Sequence, residues 1–440
     1  MLDVGRMNSD YGNLHPQDLP EGWNQSVLSK VVHFTRKPRG LEFPSEGIPF
    51  IPMKLIPEGG KMRPGWEIRA EDEIKSGNYC ERGDILLPRI TPSFENGKQA
   101  IAIGIPAEFA YATTEVFSFR SSPKELDNEF LFYYFLTPKV RADLTGKMEG
   151  TTGRQRIPKA VLENLRVRLP PLPEQRAIAH VLSTIQRAIE ATDAVIAAAR
   201  ELKRSLLEHL VTHGPVSVLD AEVVQNKEAE FGPIPSHWQV LPIEDIADVK
   251  GGKRLPKGHD YSIQPTEFPY IRVTDFSSWS VDMTDLRYLT EDDGETLSRY
   301  TISSDDVYIS IAGTTGIVGI VPEELCGANL TENAAKIMMK DDEQVLPGFV
   351  VSYLASIAGQ AEIDKRTTKT SQPKLALSRI KQIPVPLPPL NEQQGIWDIL
   401  MIVNRKLEVE RRRLASLDLL FNTLLSNLMS GSLRIRRGEE

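Results

Sequence analysis

A chain of 440 residues is long enough for two to four domains. A composition of 40% hydrophobic and 25% charged residues excludes wholesale disorder. The formal net charge of −8 argues against nonspecific nucleic-acid binding by the whole surface. It leaves room for local basic faces, because only charges near a phosphate count.

The N-terminus, MLDVGRMNSDYGNLHPQDLP, is polar and acidic and does not read as a signal peptide. LPEGW (19–23) opens a first body, in which short β-branched and aromatic runs alternate with Gly/Pro turns, predicting strands and loops with some helix. LPPLPEQ (169–175) ends that body and opens a long helix, placed at 171–213. The stretch 214–236, bounded by Gly-Pro at both ends, reads as a linker. IPSHW (234–238) then opens a second body of the same grammar, and LPPLNEQ (387–393) opens a second long helix, placed at 389–432.

The chain is therefore written twice. Pro49-Phe50-Ile51 has its counterpart in Pro269-Tyr270-Ile271, and Gly83–Leu87 in Asp305–Ile309. TGRQRIPKAVLENLRVRLPPL (152–172) matches TSQPKLALSRIKQIPVPLPPL (370–390). The expected divisions are a body at 1–170, a helix at 171–213, a body with its linker at 214–388 and a helix at 389–432. The most apolar uncharged stretch, 345–361, falls short of the roughly 20 residues that cross a bilayer, so no membrane role is expected. Cys80 and Cys326 are far apart, fit a reducing cytoplasm and read as small core residues.

Each junction is built to start a helix. Pro173 suits the first helical position, Asn391 can cap with Gln394 three residues on, and Glu174 and Glu392 favour the first turn. The second helix then carries Ile396, Leu400, Val403, Leu407, Glu410, Leu414, Leu417, Phe421, Leu424 and Leu428, stepping alternately by four and three. The first repeats that lattice with Ile178, Leu182, Ile185, Ile189, Thr192, Ile196, Ala199, Lys203, Leu206 and Leu210. A seam of mean spacing 3.5 is a coiled-coil pattern, and each helix offers the other an equivalent seam. About forty residues at about 1.5 Å each give a rod of roughly 60 Å. The heptads leave parallel and antiparallel pairing open.

Two bodies, each followed by LPPLxEQ and a long helix, resemble the DNA-specificity subunits of type I restriction-modification systems over essentially the whole chain. The resemblance implies an α+β fold: two similar α/β target recognition domains joined by two helices in an antiparallel coiled coil with pseudo-two-fold symmetry. Each body would read one half of a bipartite, asymmetric site in double-stranded DNA, and the coiled coil would act as a ruler for the spacer. The chain would dock two modification subunits, which methylate adenine with S-adenosylmethionine. Restriction subunits, the ATP- and Mg-dependent motor and nuclease, would join for cleavage. One departure stands out: Arg154 precedes Gln155 where the family often has Gly or Ser, whereas Ser371 precedes Gln372.

The residues themselves point partly to DNA. The stretch 365–381 carries six basic residues and no acid, and Lys365, Arg366, Thr367, Thr368, Lys369, Ser371 and Gln372 supply phosphate-type donors. Thr151, Thr152, Arg154, Gln155 and Arg156, with Lys159 beyond them, form the equivalent stretch in the first half. KGGKRLPKGH (250–259) adds Lys250, Lys253, Arg254 and Lys257, and Arg63, Arg69, Arg89 and Lys98 lie in or beside Gly/Pro loops. Arg and Gln also read guanine and adenine edges. Taken singly, each of these residues reads more readily as part of a solvated basic face than as a DNA contact.

Motifs of chemistry are missing from the sequence. It has no Asn-Pro-Pro-aromatic or Asp-Pro-Pro-Tyr element and no Walker A sequence, and AGTTG (312–316) lacks the rest of a dinucleotide fingerprint. Glu73-Ile74-Lys75 resembles the tail of a nuclease motif without an acidic partner. His209 and His213, four apart at a helix end, suit the helix dipole better than a metal. The expectation is a noncatalytic scaffold with no cofactor or metal of its own. An enzyme with fused methyltransferase or nuclease activity and a protein-only coiled-coil adaptor are the alternatives.

Overall fold

The computed structural model describes residues 19–74, 76–151, 153–340, 344–369 and 371–435. The chain divides into two compact units, cut at Ala194/Val195 and again at Arg412/Arg413. Both cuts fall inside the long helices, which run Leu172–His213 and Leu390–Ser430. Each unit therefore holds one body, the N-terminal half of one helix and the C-terminal half of the other.

The bodies share one topology. In the first, an antiparallel sheet takes Val32–Phe34, Val116–Ser121, Ile85–Pro88 and Ala100–Ile101 in that spatial order. A second sheet orders Glu67–Arg69, Ile48–Ile51, Phe109–Ala112 and Asn78–Glu81, with a parallel pairing between the middle two. The second body repeats both. Ala247–Gly251, Ala334–Met339, Val307–Ser310 and Val318–Ile320 make the antiparallel sheet. Arg287–Tyr288, Pro269–Ile271, Ala328–Leu330 and Thr301–Ile302 make the mixed one, again parallel in the middle. The twin Pro-aromatic-Ile steps occupy those parallel strands. Even the buried polar contacts recur. Asp84 accepts from Glu81 N at 2.8 Å and pairs with Arg120 at 2.8 Å; Asp306 accepts from Ser303 N at 2.9 Å and pairs with Lys336 at 3.3 Å.

A short two-stranded sheet brings each body's ends together: Asn24–Val27 against Arg166–Leu169, and Gln239–Pro242 against Pro384–Leu387. The strand after each opening Trp thus lies beside the strand that runs into LPP. The helices begin at Leu172 and Leu390, one residue beyond Pro171 and Pro389, whose carbonyls accept the first intrahelical bonds from Glu174, Gln175, Glu392 and Gln393. This corrects the expected starts. Pro173 is the second helical residue, Asn391 lies inside the first turn, and Gln394 bonds Asp398 at 2.8 Å and makes no capping box.

What the duplicated Glu-Gln does is clear from its partners. Buried Gln175 accepts from Asp127 N at 2.8 Å and donates to the Glu125 and Pro170 carbonyls at 3.0 and 2.8 Å. Gln393 does the same in its own body, accepting from Leu346 N at 2.9 Å and donating to Gln344 and Pro388 at 2.8 and 2.9 Å. Both glutamines satisfy the backbone just before a body helix, Asn128–Tyr134 or Pro347–Ala355, whose apolar residues fill the core. The glutamates hold the opening tryptophans: Trp23 Nε1 donates to Glu174 at 3.3 Å and Trp238 Nε1 to Glu392 at 2.9 Å.

Within each unit the helix pairing is antiparallel. In the first, Glu174 at the start of one helix pairs with Arg434 beyond the end of the other at 2.6 Å, and Ile178, Leu182 and Ile189 share a core with Phe421, Leu425 and Leu428. In the second, Lys203 Nζ reaches Asn404 at 2.7 Å, and Leu207, Leu210 and Val211 share a core with Ile396 and Leu400. Both helices end on a left-handed glycine, Gly214 (φ 77°) and Gly431 (φ 77°). A methyl on Gly214 would meet Trp238 at 3.5 Å, and one on Gly431 would meet Trp23 at 3.4 Å, so each helix terminates against the Trp that opens a body.

All twenty seam positions are buried or half-buried, including the polar Thr192, Lys203 and Glu410. Leu207, Val211, Leu425 and Met429 widen the seam toward the helix ends, where the bodies pack. The stretch 214–236 is more than a tether: it holds a 3-10 turn, Val218–Val223, and a hairpin, Asn226–Ala229 with Gly232–Pro235, that sinks Ile234 into the second body. Cys80 is buried, but Cys326 is exposed after a 3-10 turn, which corrects its reading as a core residue. Lys75 lies outside the described residues.

Replacing Gln393 with Leu removes three hydrogen bonds, to Leu346 N–H and to the Gln344 and Pro388 carbonyls, the last of them buried. The expected cost is roughly 2–4 kcal/mol, read as a lower urea midpoint for Gln393→Leu. An unchanged midpoint would contradict the junction role.

Candidate nucleic-acid interface

The two stretches expected to touch DNA form equivalent loops. In the first body, Glu149 and Arg156 exchange backbone bonds at 2.9 and 2.8 Å and close a loop whose tip exposes Thr151 and Arg154. Thr152 lies outside the described residues. The loop is tied to its neighbour by Thr91 N to Gln155 O at 3.0 Å and by Ile157 N to Arg89 O at 2.8 Å. In the second body, Thr368 and Lys374 close the corresponding loop through bonds of 2.9 and 3.0 Å, and Lys369, Ser371 and Gln372 are exposed on it. Thr370 lies outside the described residues. Leu375 N bonds Ile311 O at 2.9 Å, repeating the Ile157–Arg89 tie, so AGTTG is the counterpart of the loop that starts at Ile90.

The residues on these loops divide into held and presented groups. Arg156 makes a two-pronged bond to Glu115 at 2.9 and 2.7 Å, and Arg89 Nε lies 3.5 Å from the same carboxylate. The hydrogen bond from Arg156, then its charge and that of Arg89, hold the Glu115 carboxyl below its usual range. Gln155 is half-buried beside Thr91, whose Oγ1 accepts its backbone N–H at 3.1 Å. Arg366 ends the helix Ile357–Arg366, bonded to Glu362 and, at 2.9 Å, to the Gln382 carbonyl. Thr367 donates to Ile363 O at 2.9 Å and Thr368 to Lys374 O at 3.1 Å. Lys365 is exposed, 3.5 Å from Glu362. Arg156, Arg366, Thr367 and Thr368 thus shape the loops, while Arg154, Lys369 and Ser371 present their side chains outward and Gln372 is exposed beside them.

The other basic residues fall into separate places. Arg63 is exposed, and its loop bonds the strand that follows Lys98, Ile101 N to Met62 O at 2.8 Å. Lys98 Nζ is turned onto the Met53 carbonyl at 3.2 Å. Arg69 lies on the mixed sheet, its guanidinium 3.6 Å from the centre of the Phe50 ring and 3.1 Å from Glu67. In the second body Lys250 is exposed near the end of the strand Ala247–Gly251, and Lys253, Arg254 and Lys257 are exposed on the loop that follows. Gly252 lets that loop pass the Leu330–Thr331 backbone, because a methyl there would come within 2.2 Å of Thr331 O. Arg254 and Glu332, at 3.5 Å with Arg254 mostly exposed, form a surface pair of little energetic weight.

Below the 250–259 loop opens a groove of about 640 Å³ lined by Arg254, His259, Tyr261, Arg272 and Asn333. Arg272 is fixed by buried Asp275 at 2.6 Å and His259 by buried Asp293 at 2.7 Å. Sequence reading named Arg254 but missed Tyr261, Arg272 and Asn333, since none of these three sits in a basic run or repeats in the first body. It missed Glu115 for the same reason. His209 and His213 lie with ring centroids 5.2 Å apart, and His209 Nε2 is 2.8 Å from the Val216 carbonyl just past the helix end. Among the described residues no group of three His, Cys, Asp or Glu side chains is arranged to hold a metal, and no helix is long and apolar enough to cross a membrane.

Twin α+β bodies, each clamped to a two-helix coiled coil by the same Trp-Glu-Gln junction, define a duplicated specificity fold. A family model for the type I restriction modification DNA specificity domain matches residues 20–199 and 235–419. The chain belongs to this family, that of the specificity subunits of type I restriction-modification systems. It is 24% identical over 437 residues to the putative MjaX specificity subunit of Methanocaldococcus jannaschii, covering 95% of each chain. It is 23% identical over 317 residues to the MjaVIII specificity subunit of the same organism, covering 71% of this chain and 72% of that one. The S subunit of M. genitalium has a similar fold, with a TM-score of 0.60 at 17% identity over 92% of this chain and 96% of that one.

Glu115 also sets a pH dependence. Its folded pKa is depressed by Arg156 and Arg89, so its stabilisation is present above the unfolded carboxylate value of about 4.3 and fades as pH falls through the folded value. The urea midpoint of Glu115→Gln should lie below that of the wild type at pH 7, and the two should converge below about pH 4. A gap that persists at low pH would place the effect elsewhere.

Proposed function

We propose that this chain is the sequence-reading subunit of a type I restriction-modification complex and performs no bond chemistry itself. Each body reads one half of a bipartite site in double-stranded DNA through its presented loops, and the two long helices set the spacer. The chain docks two modification subunits, which carry S-adenosylmethionine and into which the target adenine is flipped. Restriction subunits with ATP and Mg join that assembly in the cytoplasm.

The observation that carries this reading is duplication with divergence. The sheets, the buried Asp pairs and the Trp-Glu-Gln junctions repeat between the bodies, while the exposed chemistry does not. Arg154 stands on one loop and Lys369, Ser371 and Gln372 on the other. Such a plan suits a site with two unlike halves.

Exchange of residues 24–169, the segment between the paired end strands, for the corresponding body of a relative should change one half of the methylated site and leave the other intact. Mapping methylated adenines in cells that carry the exchanged chain reads this directly, and changes in both halves would contradict the modular reading. Methylation or cleavage by the purified chain alone would instead establish an enzyme.

Arg154→Ala and Lys369→Ala should each weaken duplex binding and lower the slope of log K against log salt by about one, as expected for loss of a phosphate contact. Salt-independent binding by the wild type would favour a protein-only adaptor.

A further inference from the structure

Within the second unit, a hairpin of the body grips the helix pair. Phe276–Ser277 pairs with Ser280–Val281, and the tip residues Ser278 and Trp279 take positive φ angles of 50° and 67°. Two adjacent non-glycine residues rarely adopt that conformation unless their surroundings hold them there. Asn404 donates to the Ser278 carbonyl, and Arg411 to its hydroxyl. The Trp279 ring stacks on Trp397, with centroids 5.8 Å apart at 14°, and Lys203 Nζ lies 3.5 Å from its centre.

Beside this tip lies a pocket of about 600 Å³ lined by Arg200, Lys203, Arg204 and Arg411, with Ser277 and Gln360 among its polar walls. Its charge is unbalanced. Arg204 is paired with Glu201 at 2.5 Å and Glu208 at 3.3 Å along its own helix, and Glu410 is bonded to Lys406. Among the described residues no carboxylate lies within ion-pair distance of Arg200, Lys203 or Arg411. Burial, and then the charge of Arg411, bring Lys203 down to about 8. The equivalent seam position in the other copy is Phe421, so a buried ammonium is not a requirement of this fold.

We propose that this pocket is an oxyanion site for the phosphate class, with Lys203, Arg200 and Arg411 as its ligands. Guanidinium forks match a tetrahedral oxyanion, and a dianion supplies the charge that the walls lack. Trp397 and Lys203 flank the Trp279 ring, so the site takes the phosphate and leaves no platform for a base. The phosphate comes either from a DNA backbone or from a free phosphate or polyphosphate.

Calorimetry and thermal melts of the full chain with sodium pyrophosphate, against sodium chloride of equal ionic strength, test the site. Binding and a raised Tm are expected for the wild type. Affinity should fall about tenfold or more in Lys203→Gln and in Arg200→Gln, the latter an exposed residue whose loss leaves the fold intact. If the phosphate is that of DNA, the same variants lower the salt slope of duplex binding by about one and pyrophosphate competes with the duplex. If it is free, that slope stays unchanged. Equal pyrophosphate affinity in wild type and both variants would overturn the proposal, as would no pyrophosphate binding together with an unaltered salt slope.

Discussion

A buried glutamine at each strand-to-helix junction holds together what the rest of the structure requires to be fixed. Gln175 and Gln393 each engage three backbone groups, two of them from the segment that starts a core helix of the body and one from the Pro-Pro turn itself. The Pro170 and Pro388 carbonyls are buried at their bonds to the glutamines, so loss of the side chain would leave each short of a partner, at about 1–3 kcal/mol. The neighbouring glutamate adds the opening Trp to the same knot. One short motif therefore anchors the first strand, the last strand and a long helix of each copy. The aim of each helix out of its body is set there.

This explains which features the duplication kept and which it let go. Residues that satisfy buried polar groups have few alternatives, and they recur: the junction Trp, Glu and Gln, and the Asp that caps the turn before the central strand. The basic partner of that Asp changes from Arg120 to Lys336, because a single bond to one carboxylate oxygen asks only for a cation. Partners of the junction glutamates change more. Glu174 is held by Arg434, and Glu392 by His237 at 2.8 Å. At the exposed loops no such constraint acts, and the two copies share almost nothing there but the backbone ties that fix the loop roots.

The same distinction separates what could be read in the sequence from what could not. The twenty heptad positions are all buried or half-buried, because a periodic apolar pattern survives the odd Thr, Lys or Glu. The repeated junction words located the helix starts to within a residue. Their caps were misjudged, since Asn391 and Gln394 suit a capping box but Pro389 begins the helix first, and Gln394 then points along it. Antiparallel pairing was invisible to the heptads and became plain through Gly214 and Gly431, each of which closes on an opening Trp. Among the basic residues, run and loop context could not tell Arg154, which is presented, from Arg156, which Glu115 holds. That carboxylate lies far off in sequence, and nothing in the local composition marks it. Cys326 was misplaced because a small apolar residue carries no pattern of its own.

The copies differ most where each body meets its helix pair in mid-seam. In the first unit Gly60 closes on Gln186 and Phe421; a methyl there would come within 2.8 Å of the Gln186 side-chain Oε1 and 3.3 Å of the Phe421 ring. Phe421 also packs edge-on against Tyr133, with centroids 6.0 Å apart. The second unit puts Trp279, Asn404 and Lys203 at the corresponding positions. That contact carries no charge, although the Gln186 side-chain oxygen and the Tyr133 hydroxyl are buried in it without a hydrogen-bond partner among the described residues, whereas an ammonium taken from water needs compensation. Contact with an indole face and one amide bond compensate Lys203 in part, while burial and the charge of Arg411 lower its pKa. In mid-seam the first body thus meets its helix pair without a formal charge among Gly60, Gln186 and Phe421, and the second through an ammonium that its neighbours compensate in part.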